Sequence, residues 1–522
     1  MDGDDTPRTA EAPRAAPRVI CIGGGRGGVG KSLLTTNLGV YLAQIGRDVV
    51  IADADPSGAG VHAMLGLDVA PSAPTSDDEP CEPVATPVQG LRLVPSAFDP
   101  AASALLRPSR PHRWALRLER LQADYVIVDL GAGASNAALD LFLGADVGVC
   151  VTVPEPPAIE ATYRFLRALY VRRLRRSLVK ERFRLRLVDR ATQHLGALPT
   201  PLEIIEAIAR FDVGVANLAR AELAQLQPQL VVSQTRLRAD LDLGGSMRML
   251  ADRCLGIDLD YLGHVEHDDA VWLTVRRRRP LLIDSPTSKS ARNVERIARR
   301  VLALVTSRDG RAAEPAPRSR PTAAPLTLYE TLVVPRGASD EEVRRAYKRQ
   351  REVYAAGSLP LTSLLYGDAL ASEQRLLDEA HDTLLDPARR RAYDHSTFPE
   401  PEPAPPPTPI GEGGAVGAER AMLEAELLRE IGPDTHFTGA LLRKVREARG
   451  IELADVAART KIALSHLRAL EEEAFATLPA VVYTRGFVQE LAKALGLDPS
   501  HVARSYLARM REALALAGRA SR

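Results

Sequence analysis

The residues best suited to chemistry lie near the start of the chain, in segment 23–32, which reads GGGRGGVGKS. This segment has the spacing G-x-x-x-x-G-K-[ST], follows the apolar run 19–22 and opens a helical pattern over 33–44. Glycines allow successive backbone N–H groups to point inward at an anion, and the helix N-terminus adds to the same point. The context of strand, glycine loop, Lys-Ser pair and helix therefore predicts a phosphate-binding loop rather than a simple glycine turn.

The side chains that close this loop have separate predicted roles. Lys31 supplies a point charge to the β- and γ-phosphates of a nucleotide, and the Ser32 hydroxyl is a ligand for Mg²⁺. The residues expected to contact the nucleotide are Gly25, Gly27, Gly28, Val29, Gly30, Lys31, Ser32 and Leu33.

Three aspartates follow apolar runs that have the character of buried strands. Asp53 and Asp55 end the run 49–52, and Asp129 ends the run 125–128. The carboxyl ends of parallel strands face the ligand crevice of a doubly wound sheet, so these carboxylates are suited to holding Mg²⁺ through water. We therefore predict Ser32, Asp53 and Asp129 as the metal site, with one of Asp53 and Asp55 orienting a water. The alternative is that each aspartate is only a helix N-cap or a turn residue.

The elements that must position these residues follow from an alternation of apolar runs and helical patterns between residues 18 and 307. This alternation predicts an α/β fold with a doubly wound, mostly parallel sheet. The predicted strands are 19–22, 49–52, 91–94, 125–128, 147–153, 230–232 and 261–265. A Pro/Asp/Glu-rich stretch, 71–87, is expected to be a surface loop, and a helical insert is expected over about 159–227.

Composition divides the rest of the chain into two small all-α modules joined by linkers. The predicted organisation is a disordered tail 1–17, an α/β domain with the phosphate-binding loop over 18–307, a linker 308–326, a helical module 327–395, a Pro/Glu-rich linker and helix 396–436, and a helical module 437–512.

Charge and cysteine content exclude several classes of protein. The 522 residues carry a formal net charge of +1, so no overall field directs the chain to nucleic acid or membrane. Its four cysteines are widely separated and form no C-x-x-C pair, which argues against a zinc site or a disulfide framework and fits a reducing compartment. The N-terminus has no apolar core of signal-peptide length, and no apolar run is long enough to span a membrane. We therefore expect a cytoplasmic protein.

The motifs of the first domain resemble those of the MinD/ParA ATPases. Segment 26–32 is similar to their deviant Walker A motif, segment 53–56 to their first switch region, and segment 128–133 to their Walker B motif and second switch. Segment 261–281 is similar to the end of the FlhG branch, which controls flagellar number and placement. The resemblance implies an ATP- and Mg²⁺-dependent ATPase that dimerises face to face when ATP is bound.

The same resemblance implies roles for individual residues. Lys31 and Asp55 would be catalytic, with Asp55 aligning the attacking water and Asp53 and Asp129 near the metal. Arg26 stands where the family has a signature lysine that reaches the partner's phosphates, so Arg26 is the third catalytic candidate and the rate of hydrolysis is open. Where the family often has an asparagine near the adenine, this chain reads VSQ at 232–234.

The first part of the insert, 163–186, contains ten arginine and lysine residues among apolar ones. Such a basic helix can lie on anionic lipid or along nucleic acid. One interpretation is therefore peripheral contact with the inner face of the cell membrane. The other is a solvated charged face on a helix packed within the domain.

The first helical module resembles a DnaJ-type J domain over 327–395. The similarity is good at both ends, but the His-Pro-Asp tripeptide expected after Tyr354 is replaced by Ala355-Ala356-Gly357. Without that tripeptide the module is expected to serve as a docking helical hairpin rather than as a co-chaperone. Ser339 and Glu342 have the spacing of a capping box at its main helix.

The last module, 437–512, resembles the cytoplasmic helix-turn-helix domain of RodZ-like proteins, which contacts an actin-like cytoskeleton. Its second helix, about 464–472, would read the major groove if the module bound DNA. The acidic run 471–473 would repel phosphates, which favours a protein partner over DNA. We therefore predict an ATP-driven dimerisation switch for spatial organisation, with cytoskeletal, polar or motility partners bound through 327–395 and 437–512. The alternative is an ATP-responsive transcriptional regulator.

Overall fold

The computed structural model describes residues 16–55, 60–68, 82–95, 118, 120–196, 199–309, 326–398, 435–449, 451, 453–460, 462–479 and 481–520. The chain divides into two compact units, Met1–Ile410 and Gly411–Arg522. The two units are described separately below.

The first unit is built on one eight-stranded sheet with the order β3-β4-β2-β5-β1-β6-β7-β8. Its strands are β1 Arg18–Gly23, β2 Val49–Ala54, β3 Val84–Ala85, β4 Leu91–Val94, β5 Tyr125–Leu130, β6 Val147–Thr152, β7 Gln229–Thr235 and β8 Asp260–Glu266. All pairings are parallel except that of β3 with β4. The predicted doubly wound α/β fold is therefore confirmed, and each of the seven predicted strands is present.

One expectation about the sheet is wrong. The stretch 71–87 was expected to be a surface loop, but Val84 and Ala85 form the edge strand β3. Val84 pairs with Leu93 and Ala85 with Arg92, antiparallel to β4. Residues 71–81 of that predicted loop lie outside the described residues.

Helices cover both faces of the sheet, as parallel strands with crossover connections require. Those of the sheet domain are α1 Lys31–Gln44, α2 Val61–Met64, α3 Asn136–Gly144, α4 Pro156–Ser177, α5 Arg182–Thr192, α6 Pro201–Ala209, α7 Val213–Ala224, α8 Arg238–Leu250, α9 Asp269–Arg276, α10 Leu281–Asp284 and α11 Lys289–Asp309. Helix α8 continues into a π-helical turn, Ala251–Leu255. The predicted insert is thus the four-helix segment α4–α7.

The strand order places the switch point of the sheet at β1. This strand lies between β5 and β6, while the chain runs from β1 through α1 to β2, on the far side of β5. In open α/β sheets ligands bind at such a switch point, beyond the carboxyl ends of the strands. The loop after β1 and the aspartates at the ends of β2 and β5 all lie at that edge.

The first unit also contains the predicted helical module. Its helices are α12 Leu328–Leu332, α13 Asp340–Val353, α14 Gly367–Leu385 and α15 Pro387–Thr397, with a 3₁₀ turn at Leu359–Leu361. The capping box predicted at Ser339 and Glu342 is confirmed, because Glu342 N donates to Ser339 Oγ and Ser339 N donates to Glu342 Oε2. Buried residues of this module and of α4–α8 belong to one continuous hydrophobic core.

The second unit is helical. Its helices are α16 Gly439–Ala448, α17 Leu453–Thr460, α18 Leu464–Glu471, α19 Val481–Ala494 and α20 Pro499–Ala520. They enclose a small core that includes Leu442, Val456, Leu467, Leu491 and Tyr506. The predicted second helix, about 464–472, corresponds to α18.

None of the helices in the described ranges is long and apolar enough to cross a membrane.

Candidate functional site

The loop between β1 and α1 has the backbone that its glycines predict. Gly30, the N-cap of α1, has φ 96° in the left-handed region, which an L side chain rarely adopts. Gly25 is required for a different reason, since a Cβ there would lie 2.1 Å from the carbonyl oxygen of Ala161 on α4. The loop therefore lies directly against α4, with its free N–H groups at the start of α1.

The two cationic residues of the loop have partners within this structure. Lys31 is almost buried, at 7% exposure, and its Nζ donates to the carbonyl oxygen of Arg26 at 2.9 Å. Burial lowers the pKa of Lys31, although the nearby carboxylates of Asp129 and Asp55 oppose this. Arg26 forms an ion pair of 3.0 Å with Glu155, the residue that precedes α4. The Arg26 guanidinium thus lies at the exposed rim of the loop, whereas Lys31 lies in its interior.

The predicted aspartates meet beside Lys31. Asp53 and Asp129 are register partners on the neighbouring strands β2 and β5, and each is only 1% exposed. Asp55 joins them, since its backbone N–H donates to Asp53 Oδ1 at 3.2 Å. Thr35 on α1 donates to Asp129 Oδ1, also at 3.2 Å. The structure therefore brings all three carboxylates to one place.

This cluster has the electrostatics of a cation site. Desolvation, with the neighbouring charge of Asp129, raises the pKa of Asp53 to about 8. Desolvation likewise raises the pKa of Asp129 to about 6, although hydrogen bonds from Ser32 and Thr35 and the charge of Lys31 oppose it. Asp53 Oδ2 is buried and has no hydrogen-bond partner among the described residues. Oxygen ligands are what Mg²⁺ prefers, so Asp53, Asp129 and the Ser32 hydroxyl fit this cation.

A cavity of about 190 Å³ lies over the loop. It is lined by Arg26, Gly27, Gly28, Val29, Val153, Glu155 and Gln234. The Gln234 side-chain amide donates to the carbonyl oxygen of Gly28 at 3.0 Å, and its backbone is left-handed with φ 57°. Gln234, the last residue of the VSQ segment, therefore reaches the glycine loop.

Two residues of the site were not singled out from the sequence. Glu155 follows β6 and Thr35 lies on the first turns of α1. A local signal existed for Thr35, since it lies four residues after the loop lysine, on the same face of the helix. Glu155 is near the loop only because β6 neighbours β1 in the sheet. No local sequence pattern indicates that these two strands are adjacent.

The interpretation of 163–186 as a free basic helix is wrong for its first part. Helix α4 is packed inside the domain, with Tyr163, Phe165 and Leu169 fully or almost fully buried. Five of its six arginines form ion pairs with carboxylates of the same unit. The ion pairs are Arg164–Glu160, Arg172–Asp140, Arg173–Glu222, Arg175–Asp189 and Arg176–Asp140. The charged face of α4 is therefore a paired face on a packed helix, and it is not available to lie on lipid.

The module 327–398 docks on α4 and α8 through its loop 354–366. Tyr163 Oη donates to the carbonyl oxygen of Pro360 at 2.7 Å, and Arg167 Nη2 donates to that of Ser363 at 3.3 Å. Arg253, in the π turn after α8, lies 5.4 Å from the centroid of the buried Tyr354 ring and forms an ion pair with Glu373. The loop that follows Tyr354 is thus packed against α4 and the π-helical turn after α8 of the same chain.

The acidic run 471–473 of the second unit is not a free negative patch. Both carboxylate oxygens of Glu471 accept from Arg446 on α16, at 2.6 and 2.9 Å, and the pair is buried. Glu473 accepts from Gly439 N and from Arg509. The expectation that the run would repel phosphates is therefore wrong for two of its three residues. The exposed residues of α18 include Leu464 and Arg468, and its C-cap Glu472 is also exposed.

Known proteins are similar to separate parts of the chain. Residues 15–169 match the family described as NUBPL iron-transfer P-loop NTPase, and residues 441–502 match a helix-turn-helix domain family. The antiactivator FleN of Pseudomonas aeruginosa is 25% identical over 289 residues, which are 54% of this chain and 86% of that protein. The septum site-determining protein MinD of Synechocystis is 26% identical over 275 residues, covering 50% of this chain and 98% of MinD.

Solved structures also match part of the chain. The septum site-determining protein MinD of Pyrococcus horikoshii, complexed with Mg-ADP, is 21% identical, with a TM-score of 0.38, and covers 55% of this chain and 96% of its own.

The fold, the site and the sequence matches indicate the same class for the N-terminal region. This region is similar to P-loop NTPases of the MinD/ParA/FlhG type. A helix-turn-helix domain follows in the C-terminal region.

Proposed function

We propose that this protein is an ATP-binding and ATP-hydrolysing dimerisation switch that organises a structure in space, such as a cell pole, a flagellum, a division site or the cytoskeleton. The observation that carries this proposal is the meeting of the glycine loop with three carboxylates around Lys31. The names of two relatives, the septum site-determining protein MinD and the chromosome-partitioning ATPase Soj of Thermus thermophilus, point to the same kind of task.

In this proposal each residue of the site has one task. The loop N–H groups from Gly25 to Leu33 and the Lys31 ammonium hold the phosphates, and Ser32, Asp53 and Asp129 hold Mg²⁺. The cation neutralises charge that develops on the phosphates during transfer. Asp55 orients the attacking water. Arg26 leaves Glu155 and reaches the phosphates of a second copy, as the signature lysine does in the family.

The test is ATP turnover and molecular size, measured by light scattering with and without Mg-ATP. We expect an ATP-dependent dimer for the wild type, no dimer for Lys31→Ala, and a stable ATP dimer that does not turn over for Asp55→Ala. Asp242→Ala removes an exposed carboxylate of α8 and is the matched control, which should behave as the wild type. An unchanged monomer in every sample would refute the switch.

We further propose that 327–395 is a J-like module that has lost co-chaperone action and serves as a fixed part of the ATPase unit. Its contacts to Tyr163, Arg167 and Arg253 support this, because they use the loop that would otherwise carry the tripeptide. A stimulation of Hsp70 ATPase activity by the full chain would contradict it.

We propose that the RodZ-like helix-turn-helix domain, 437–512, binds a cytoskeletal, polar or motility protein. The support is the outer surface of α18 and its C-cap, where the charges of Arg468 and Glu472 balance and Leu464 is 40% exposed. DNA binding needs several cations at the phosphates, and its affinity falls steeply with salt. The alternative is a transcriptional regulator. It is favoured by the ion pairs of Glu471 and Glu473 with arginines of the same unit, because these pairs reduce the repulsion of DNA phosphates. Sequence-selective, salt-dependent retention of DNA by the full chain would establish it, and Arg468→Ala should then weaken it.

A further inference from the structure

Two turns of the insert expose four large apolar side chains. Val179 and Phe183, at the turn from α4 to α5, are 66% and 78% exposed. Phe211 and Val213, at the turn from α6 to α7, are 54% and 64% exposed. A group of exposed apolar residues of this size on a soluble domain marks an interaction site.

The two turns lie at the same end of the insert. Helices α5 and α6 pack against each other and are joined by the short connection 193–200, so they run antiparallel. The start of α5 is therefore beside the end of α6, and we call the residues 178–190 and 210–213 together the insert tip. Helix α4 begins at Pro156, directly after Glu155 beside the glycine loop, and its 22 residues at 1.5 Å each put the tip about 33 Å away.

The insert tip carries an excess of positive charge. Segment 178–190 contains five arginine and lysine residues and two carboxylates. Both carboxylates are paired, Glu181 with Arg184 and Asp189 with Arg175 of α4. The cations that remain are all exposed and have no hydrogen bond or ion pair with any described residue. They are Lys180, Arg182, Arg186 and Arg190.

We propose that the insert tip is a surface that binds an anionic lipid bilayer. Exposed phenylalanine and valine beside unpaired cations is the composition of interfacial membrane-binding segments, in which apolar groups enter the acyl boundary and cations contact anionic headgroups. The apolar side chains project from turns rather than lining a groove. A fluid bilayer accepts such projecting groups without a matching pocket, whereas a folded protein partner would need one.

The bilayer contact is separate from the nucleotide site. The arginines of α4 are paired, so the contact belongs to the insert tip, at the far end of that helix from the phosphate loop. The tip requires neither ATP nor dimerisation, and it can be tested without nucleotide. Failure of the tip would therefore leave the proposed switch intact, and failure of the switch would leave the tip intact.

The test is flotation of the full chain, without nucleotide, on phosphatidylcholine vesicles with and without phosphatidylglycerol. We expect the wild type to float only with the anionic vesicles. The double variant Phe183→Ser/Phe211→Ser should lower the partition coefficient about tenfold or more, because the apolar groups are lost. The double variant Arg182→Gln/Arg186→Gln should also bind the anionic vesicles more weakly. Added salt should weaken the binding of the wild type to these vesicles. Tyr483→Ser removes a comparably exposed aromatic residue, 67% exposed, from the second unit and is the matched control.

A second measurement reports on the tip itself. Phe183→Trp should show a blue-shifted emission on adding anionic vesicles, as its ring leaves water.

No flotation of the wild type, equal flotation of the double phenylalanine variant, or equal flotation on neutral vesicles would overturn the proposal. So would binding to polyglutamate in the absence of any binding to vesicles, which would assign the insert tip to an acidic protein partner. All of these side chains are exposed, so circular dichroism of the variants should match the wild type.

Discussion

The hydroxyl of Tyr163 donates a 2.7 Å hydrogen bond to the carbonyl oxygen of Pro360, which lies 197 residues further along the chain. Tyr163 is on α4, the helix that begins beside the phosphate loop, and Pro360 is in the loop after α13. The bond joins the sheet domain to the helical module 327–398 inside one core. The module therefore has its loop committed to an internal contact.

Tyr163→Phe tests whether this hydrogen bond holds the loop in place, because it deletes only the hydroxyl. The Pro360 carbonyl loses its donor inside the contact, which costs about 1–3 kcal/mol. We expect faster amide hydrogen exchange across 354–366 in the full chain. Tyr347→Phe is the control, since it removes a comparable 2.7 Å bond, to Asp378, that lies within the module. It should affect exchange in α13 and α14 and leave the loop as it is. Equal exchange at 354–366 in both variants would contradict a contact held by Tyr163.

The carboxylate cluster predicts that the free energy of unfolding depends on pH in the protein free of nucleotide and metal. Burial raises the folded-state pKa of Asp53 to about 8, against about 4 in an unfolded chain. The folded state thus holds the Asp53 proton more tightly, so the stability it provides is present below about pH 4 and is lost as pH rises toward 8. Asp53→Asn cannot lose a proton, so it should become more stable than the wild type, on the order of 2 kcal/mol near pH 8.

The measurement is urea unfolding of both proteins at several pH values in the presence of EDTA. The difference in unfolding free energy between Asp53→Asn and the wild type should grow steadily from about pH 4 to pH 8. Asp242→Asn alters an exposed carboxylate and should show no such trend. A difference that is constant over this range would contradict a raised pKa at Asp53.

The ion pair between Arg26 and Glu155 predicts how the switch responds to mutation. The pair is largely exposed, 43% and 58% at the two side chains, so breaking it changes stability by less than about 1 kcal/mol. Glu155→Gln should release Arg26 and tighten the ATP dimer by about twofold to fivefold, measured by light scattering in the Asp55→Ala background. Arg26→Lys should keep the dimer and Arg26→Ala should lose it. An ATP dimer of unchanged affinity in Arg26→Ala would show that Arg26 does not act across the interface.

Much of the first unit could be predicted because its signals are local. Most of the seven predicted strands are continuous apolar runs, as buried parallel strands require, and the loop residues Gly25 to Ser32 have a fixed spacing. Asp53 and Asp129 could be placed together because parallel strands end at one edge of a sheet. The edge strand β3 was missed because two residues give no periodicity.

The features that could not be predicted depend on tertiary neighbours. Glu155 reaches the phosphate loop only through the adjacency of β6 and β1. The arginines of α4 look like a free basic face in sequence, and only the positions of Asp140, Asp189 and Glu222 neutralise them. The docking of loop 354–366 likewise rests on residues almost 200 positions apart. Local patterns report which residues are charged, and they do not report which charges are paired.

The buried pair Arg446–Glu471 is the clearest example of a charge pairing that the sequence does not reveal. It also leads to a last prediction. Glu471 belongs to an acidic run, yet its side chain is 5% exposed and forms two bonds with a guanidinium that is 10% exposed. Removing one partner of a buried pair leaves the other charge without compensation, so Glu471→Gln should destabilise the second unit by about 3–5 kcal/mol. The pair Arg443–Glu447 on α16 is exposed, 57% and 52%, and Glu447→Gln should cost less than about 1 kcal/mol.

Both variants can be compared in the full chain by amide hydrogen exchange of α16 and α18. Glu471→Gln should raise exchange in both helices together, because the pair joins them, while Glu447→Gln should leave α18 unchanged. The double variant Arg446→Met/Glu471→Leu should recover most of the protection, since an apolar pair of similar volume removes both charges at once. If Glu471→Gln left α18 as protected as in the wild type, the acidic run would have to be a solvent-exposed patch after all. Its repulsion of phosphate would then again count against DNA as the partner of this domain.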